Sequence, residues 1–164
     1  MATYKTSIET VEDFLAQKRI AIAGVSRDPK SFSAKLSEEL SRHGYEVVPV
    51  NPNLSEIPGK NCFARIQDVQ PPVDGVLIMT APAITKTIVR DCAEAGVQRV
   101  WMYSAGVAGS VSEEAVEFCE AHGIRVVKGE CPYMFLPGAS GIHWFHGIVR
   151  KITGSFPRHA NFQS

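Results

Sequence analysis

Gly24, Ser26, Arg27 and Lys30 lie in one short stretch, directly after the apolar run Ile20-Ala21-Ile22-Ala23. A glycine lets the backbone turn tightly and come close to a ligand, a serine adds a hydroxyl, and two cations add charge. Joined to the free N–H groups at the start of a following helix, these are the means of holding a phosphate. Lys35 adds a third cation if its side chain faces back toward the turn. Each charge-assisted contact contributes about 1.5–3 kcal/mol. A second apolar run, Val47-Val48-Pro49-Val50, ends in Asn51-Pro52. An NAD site carries an acid near that point for the ribose hydroxyls, and three glycines in its first turn. Neither is present, so the residues favour a phosphate-bearing nucleotide other than NAD, with room for a neutral or phosphorylated ribose. Ser104-Ala105-Gly106 offers small side chains beside which a flat base or a long flexible arm fits.

The other reactive side chains form no catalytic set. His43, His122, His143, His146 and His159 are scattered, and the pair His143/His146 lacks the third ligand of a catalytic zinc site, so no metal is expected. Cys62, Cys92, Cys119 and Cys131 make neither a CxxC pair nor a zinc spacing. Cys92 and Cys119 fall in helical patterns and read as core, and Cys131-Pro132 reads as a turn. Trp144 and Phe145, with Trp101-Met102-Tyr103, read as core in preference to a partner surface.

These residues need elements to position them. Thr6-Ser7-Ile8-Glu9 is a capping-box signal, opening a helix with Ile8, Val11, Phe14 and Leu15 on one face. Strands are predicted over 19–24, 45–50, 73–79, 98–103 and 124–128. The helices between them open at Ser31 or Ser33, at Pro82 and at Ser112, and close at Gly44, Gly96 and Gly123. The stretch 51–61, with two prolines and a glycine, reads as a loop. Cys62-Phe63 reads as a short extended piece and 66–69 as one helical turn. A short helix is expected over 142–152.

Strict alternation of strand and helix predicts an α/β fold: a Rossmann-like, doubly wound, parallel five-stranded sheet of order 3-2-1-4-5. One domain is expected over 1–164, with 131–164 a C-terminal extension. Ligands of such sheets bind beyond the carboxyl ends of the strands, where the order reverses. That order puts the site between the first strand and the fourth, with Asn51-Pro52 and Thr80-Ala81-Pro82 bordering the same crevice.

The 17 Lys and Arg balance the 17 Asp and Glu, so no overall field draws the chain to nucleic acid or an anionic membrane. Forty-five per cent hydrophobic and 21% charged residues in 164 is the composition of a globular domain. No apolar run approaches the ~20 residues that span a bilayer. Residues 1–18 carry Glu9, Glu12 and Asp13 without the apolar core of a signal peptide, and a cytoplasmic location is expected.

The runs Ala21-Ile22-Ala23-Gly24-Val25-Ser26, Val48-Pro49-Val50-Asn51-Pro52, Val100-Trp101-Met102-Tyr103-Ser104-Ala105-Gly106 and Glu130-Cys131-Pro132 together resemble the bacterial coenzyme A-binding domain family. That family is similar to the N-terminal domain of the succinyl-CoA synthetase alpha subunit and of ADP-forming acyl-CoA synthetases. The resemblance covers about residues 7–132. It implies that Gly24, Val25, Ser26 and Arg27 receive the phosphates of coenzyme A, and that Asn51-Pro52 lies near the ribose phosphate. It implies that Thr80, Ala81 and Pro82, with Ile84, flank the adenine end or the phosphates. Tyr103, Ser104, Ala105 and Gly106 match a further contacting loop. Many relatives carry Lys or Arg just after the Asn-Pro, where Asn53 and Leu54 stand here, so the contact to the 3′-phosphate is expected either to be weaker or to come from Lys30 or Lys35. The expected function is coenzyme A or acyl-CoA binding without catalysis of its own. Two alternatives stand beside it: an NAD(H)-binding redox sensor or oxidoreductase, and a subunit of an acyl-CoA ligase completed by a separate ATP-grasp protein. An exposed edge strand and exposed helices leave a homo-oligomer or a protein partner open.

Overall fold

The computed structural model describes residues 6–105 and 108–137. Gly106 and the helix predicted over 142–152, with His143, Trp144, Phe145 and His146, lie outside the described residues.

Helix α1 (Ile8–Leu15) begins at Ser7, whose side chain accepts the Thr10 amide at 3.2 Å. The capping-box reading placed the cap one residue early. Thr6 is buried and turned to another task, its hydroxyl accepting the Lys128 amide at 2.8 Å and donating to the Lys128 carbonyl at 3.1 Å. Strand β1 (Arg19–Ala23) follows, then α2 (Phe32–Arg42), capped by Ser31 onto the Ala34 amide at 3.2 Å. Strand β2 (Glu46–Val50) leads into a small antiparallel hairpin, β3 (Glu56–Ile57) and β4 (Lys60–Asn61), where the sequence reading had a loop. Its turn is Pro58-Gly59, and Gly59 takes a φ of 79°. A 3₁₀ turn (Ile66–Asp68) precedes β5 (Gly75–Ile78), and α3 (Pro82–Glu94) starts with proline at its tolerant first position. Strand β6 (Arg99–Ala105) pairs at its end with β7 (Ala108–Gly109). Helix α4 (Glu113–Ala121), β8 (Arg125–Glu130) and a 3₁₀ turn (Pro132–Met134) complete the chain described.

Side chains alternate across each strand, and the core divides accordingly. Ile20 and Ile22 pack with Val11, Phe14, Leu36 and Leu40 beneath α1 and α2. Ala21 and Ala23 face the other way, with Val89, Cys92, Val116 and Cys119 beneath α3 and α4. Helices therefore cover both faces, as near-continuous apolar strands require. Trp101 is fully buried, its ring edge-on to Phe14 at 5.3 Å and to Phe135 at 5.8 Å. Its indole N–H is satisfied by the Glu130 carbonyl at 2.9 Å.

The main strands run in parallel in the order β2-β1-β5-β6-β8. Phe63 adds a parallel bridge to Val50 on the outer side of β2. Counting that bridge as the third, edge place gives the expected succession 3-2-1-4-5, with β8 beyond it. The segment over 73–79, numbered third from sequence, instead pairs with β1 on its other side. The winding therefore reverses between β1 and β5, not between β1 and the strand at 98–103. The outer side of β2 is instead held by Phe63, through Phe63 N–H to Pro49 O at 3.0 Å and Asn51 N–H to Phe63 O at 2.8 Å. Pro49 is tolerated in β2 because its missing N–H faces that sparsely paired edge.

Candidate functional site

The carboxyl ends of β1 and β5 meet at Gly24. Its φ of 92° is a left-handed conformation that side chains rarely adopt. A Cβ there would lie 2.8 Å from Thr80 Cγ2 and 3.1 Å from the Met79 carbonyl carbon. The glycine thus allows the loop after β5 to close on the loop after β1. The Gly24 N–H is taken by the Val50 carbonyl at 3.0 Å, and the Met79 N–H by the Ala23 carbonyl at 2.9 Å.

The turn beyond Gly24 is braced from within. Ser26 donates its amide to Ser33 Oγ at 2.9 Å, and Ser26 Oγ accepts the Asp28 amide at 3.1 Å. Asp28 Oδ1 accepts the Lys30 amide at 2.9 Å. Asn51 reaches across from the end of β2, its Nδ2 donating to the Val25 carbonyl at 2.9 Å while its Oδ1 accepts the Asn53 amide at 2.9 Å. Asn51 therefore clips two loops together. Among the described residues, no protein acceptor is hydrogen-bonded to the amides of Val25 and Arg27. Val25 is fully buried, whereas Arg27 is exposed on the turn that leads into α2, so its N–H is a donor that an anion can use.

The remaining candidates spread along the same edge of the sheet. Thr80 and Thr85 place their hydroxyls 3.3 Å apart, and Thr85 donates to the Ser110 carbonyl at 2.7 Å, tying α3 to the segment before α4. Ala81 and Pro82 are exposed, and Ile84 is the one large hydrophobic residue exposed among those described, at 52%. Tyr103 and Ser104 are half-buried at the end of β6 and Ala105 is exposed. The Tyr103 ring lies 5.2 Å from Phe32 at the head of α2, and Phe32 in turn lies 5.5 Å from Tyr133. Burial raises the pKa of the Tyr103 phenol above its ordinary value. Arg27, Lys30 and Lys35 are all exposed.

A cavity of about 380 Å³ opens below the turn, between α2 and the β3–β4 hairpin. Ser26, Arg27, Ser37, Ser41, Ile57 and Lys60 are among the residues that line it, and neither Lys30 nor Lys35 does. Lys60 Nζ donates to the Val47 carbonyl at 3.1 Å and to Ser41 Oγ at 3.3 Å, and burial lowers its pKa. Sequence reasoning missed this lysine because it read 51–61 as a featureless loop. The one local signal is the proline-glycine turn Pro58-Gly59, since the strands beside it are two residues each.

A doubly wound parallel sheet with a glycine turn at its point of reversal defines a nucleotide-binding α/β domain. The chain belongs to the CoA binding domain family, whose model matches residues 18–137. It is 27% identical over 125 residues to the acetate–CoA ligase [ADP-forming] II subunit alpha of Pyrococcus furiosus, a match covering 72% of this chain and 27% of that subunit. It is 27% identical over 123 residues to the uncharacterized protein YneT of Bacillus subtilis, covering 75% of this chain and 88% of YneT. The fold is similar to the solved structure of a hypothetical protein from Pyrococcus horikoshii OT3, with a TM-score of 0.71 and 25% identity over 80% of this chain and 89% of that one. The chain thus spans about a quarter of the ligase subunit but nearly all of the two small proteins. Among the described residues no helix is long and apolar enough to cross a membrane.

Proposed function

We propose that this chain binds coenzyme A or an acyl-CoA at the Gly24 turn and holds it for use by a partner or a second copy. The observation that carries this reading is the meeting of β1 and β5 at Gly24, beside which the exposed Arg27 offers an amide with no acceptor in the described chain. In this reading the turn takes the pyrophosphate, Asn51 fixes the turn from the side, and Thr80 to Ile84 border the opening. Membership of the CoA binding domain family supports the choice of coenzyme A over other nucleotides.

Thermal unfolding with coenzyme A, acetyl-CoA, NADH and ATP in parallel tests the proposal. A ligand present at about 100 times its dissociation constant adds roughly 2.7 kcal/mol, which raises the midpoint of a domain of this size by about 5–10 °C. A shift with coenzyme A or acetyl-CoA and none with NADH is expected. A shift with NADH alone overturns the proposal in favour of a redox role.

The likeness to the acetate–CoA ligase subunit favours a second reading, in which the chain works beside a separate nucleotide-binding subunit. Stable co-purification of an ATP-grasp protein with the tagged chain supports that reading, and its absence at native expression counts against it.

A further inference from the structure

Thr85 is fully buried near the start of α3, and its hydroxyl has a single proton to give. Three acceptors compete for it: the Ser110 carbonyl at 2.7 Å, and the Ala81 carbonyl and Thr80 Oγ1 at 3.3 Å each. The short bond takes the proton, because Ser110 is itself buried and a buried carbonyl left without a donor is costly. The contact between the two threonine hydroxyls is then a bond only if Thr80 donates, since oxygens that both turn lone pairs inward repel each other. The hydroxyl hydrogens therefore run in one direction, from Thr80 to Thr85 to the Ser110 carbonyl. Thr80 commits its one donor inside the protein and keeps only lone pairs for a ligand.

Thr80 is half-buried, with a fixed place in the sheet. It follows β5, which lies on one side of β1, while Asn51 follows β2 on the other side. Its methyl group rests against Gly24, 2.8 Å from where a Cβ would stand. The side chain is thus pinned between the Gly24 turn and α3. Nucleotides on such sheets set their ribose against the end of the second strand, where Asn51 stands. With the pyrophosphate at the Gly24 turn, the adenosine lies toward β2 and the rest of the ligand passes over the end of β5. In coenzyme A that remainder is the pantetheine arm, whose hydroxyl and amide N–H groups are donors. A phosphate oxygen is an acceptor, and it finds no donor in a hydroxyl committed to Thr85.

We infer that Thr80 accepts a hydrogen bond from the hydroxyl or an amide N–H of the pantetheine arm, and that Thr85 is a positioning residue that holds Thr80 in this accepting state. The inference rests on the coenzyme A reading above. It moves Thr80 to the arm from the adenine end or the phosphates, where the family resemblance put it.

Calorimetric titration of the whole chain with coenzyme A and with 3′-phosphoadenosine 5′-diphosphate, which lacks the arm, tests it. Thr80→Val keeps the methyl group at Gly24 and removes the hydroxyl. It should weaken coenzyme A roughly fivefold, as the loss of one hydrogen bond does, and leave the truncated nucleotide unchanged. Thr80→Ala should give the same result with nothing added near Gly24, and Thr80→Ser should bind both ligands as the wild type does. Thr85→Val leaves the Thr80 proton without its receiver and should lower the preference for coenzyme A, while Thr85→Ser should keep it. Because Thr85→Val also strips the donor from the Ser110 carbonyl, the quantity read is the ratio of the two affinities, which a loss of stability alone does not move. Unchanged coenzyme A affinity in Thr80→Val and Thr80→Ala, or an equal loss with both ligands, overturns the assignment and leaves the coenzyme A reading intact. An unchanged ratio in Thr85→Val overturns the positioning role. A folded wild-type chain that binds neither ligand overturns both the inference and the reading beneath it.

Discussion

Gly24 and Thr80 are in such close approach that a single added carbon on Gly24 would lie 2.8 Å from Thr80 Cγ2. The glycine at the head of the phosphate turn is thus required by a neighbouring loop before any ligand arrives. Gly24→Ala meets both that contact and a φ of 92°, and should cost about 1–3 kcal/mol of stability. Urea unfolding measures it, and an unchanged midpoint would show that the loops part easily. Loss of ligand binding in this variant does not locate the pyrophosphate, because the fold around the turn is disturbed as well.

Ser33 offers a cleaner probe of the turn. Its hydroxyl accepts the Ser26 amide from the first turn of α2, while the helix cap is left to Ser31. Ser33→Ala should therefore leave the helix intact and release the turn. Coenzyme A affinity is expected to fall roughly fivefold, the equivalent of one lost hydrogen bond of about 1 kcal/mol. Calorimetry with coenzyme A reads this, alongside circular dichroism to check the helix.

Asp13 predicts an acid limb in the stability of the fold. Burial pushes its carboxyl pKa up, but Arg99 at 2.8 Å and Arg125 at 3.1 Å outweigh that and hold it below the ordinary value. Ionised Asp13 therefore stabilises the folded chain above the unfolded-state pKa of about 3.9, and the contribution is lost as pH falls through the lower folded-state value. Asp13→Asn should be less stable than wild type at pH 7, by about 1 kcal/mol. Unfolding curves of the two proteins should converge below pH 4.

The helix cysteines should be chemically silent. Burial raises the Cys92 thiol far above its ordinary pKa and pushes Cys119 up to about 12. Since the thiolate is the nucleophile, neither should react with iodoacetamide at pH 8 in the native protein, and both should react in denaturant. Mass spectrometry of the alkylated peptides distinguishes the two states.

The sequence made the parallel sheet legible because its signals are local: buried Val and Ile runs, serine caps, and glycines ending helices at Gly44, Gly96 and Gly123. What it hid was pairing at a distance. Nothing within 73–79 says whether that strand adds beyond β2 or beside β1; it pairs with β1, and Phe63 takes the outer side of β2. The contact of two loops at Gly24 depends on Thr80, 56 positions away, which no local pattern around Gly24 encodes. A structural role of Asn51 was hidden for the same reason. Standing where an NAD site would carry an acid, it also clips the Val25 carbonyl. Lys60 escaped because two-residue strands carry too little alternation to register as a pattern.

The clasp between Thr6 and Lys128 joins residues 122 positions apart, and Asp13 grips Arg99 from 86 positions away. The first helix is therefore synthesised long before the surface it docks on. Until β6 and β8 have left the ribosome, Val11 and Phe14 lack the Trp101 and Val127 part of their core. Native contacts of such separation close late and slowly, after the loops between them are ordered. Of the elements described, α1 precedes its anchors by the greatest distance, so a chain released before Arg125 would leave that helix without its ties to Arg125 and Lys128, open to chaperones and proteases.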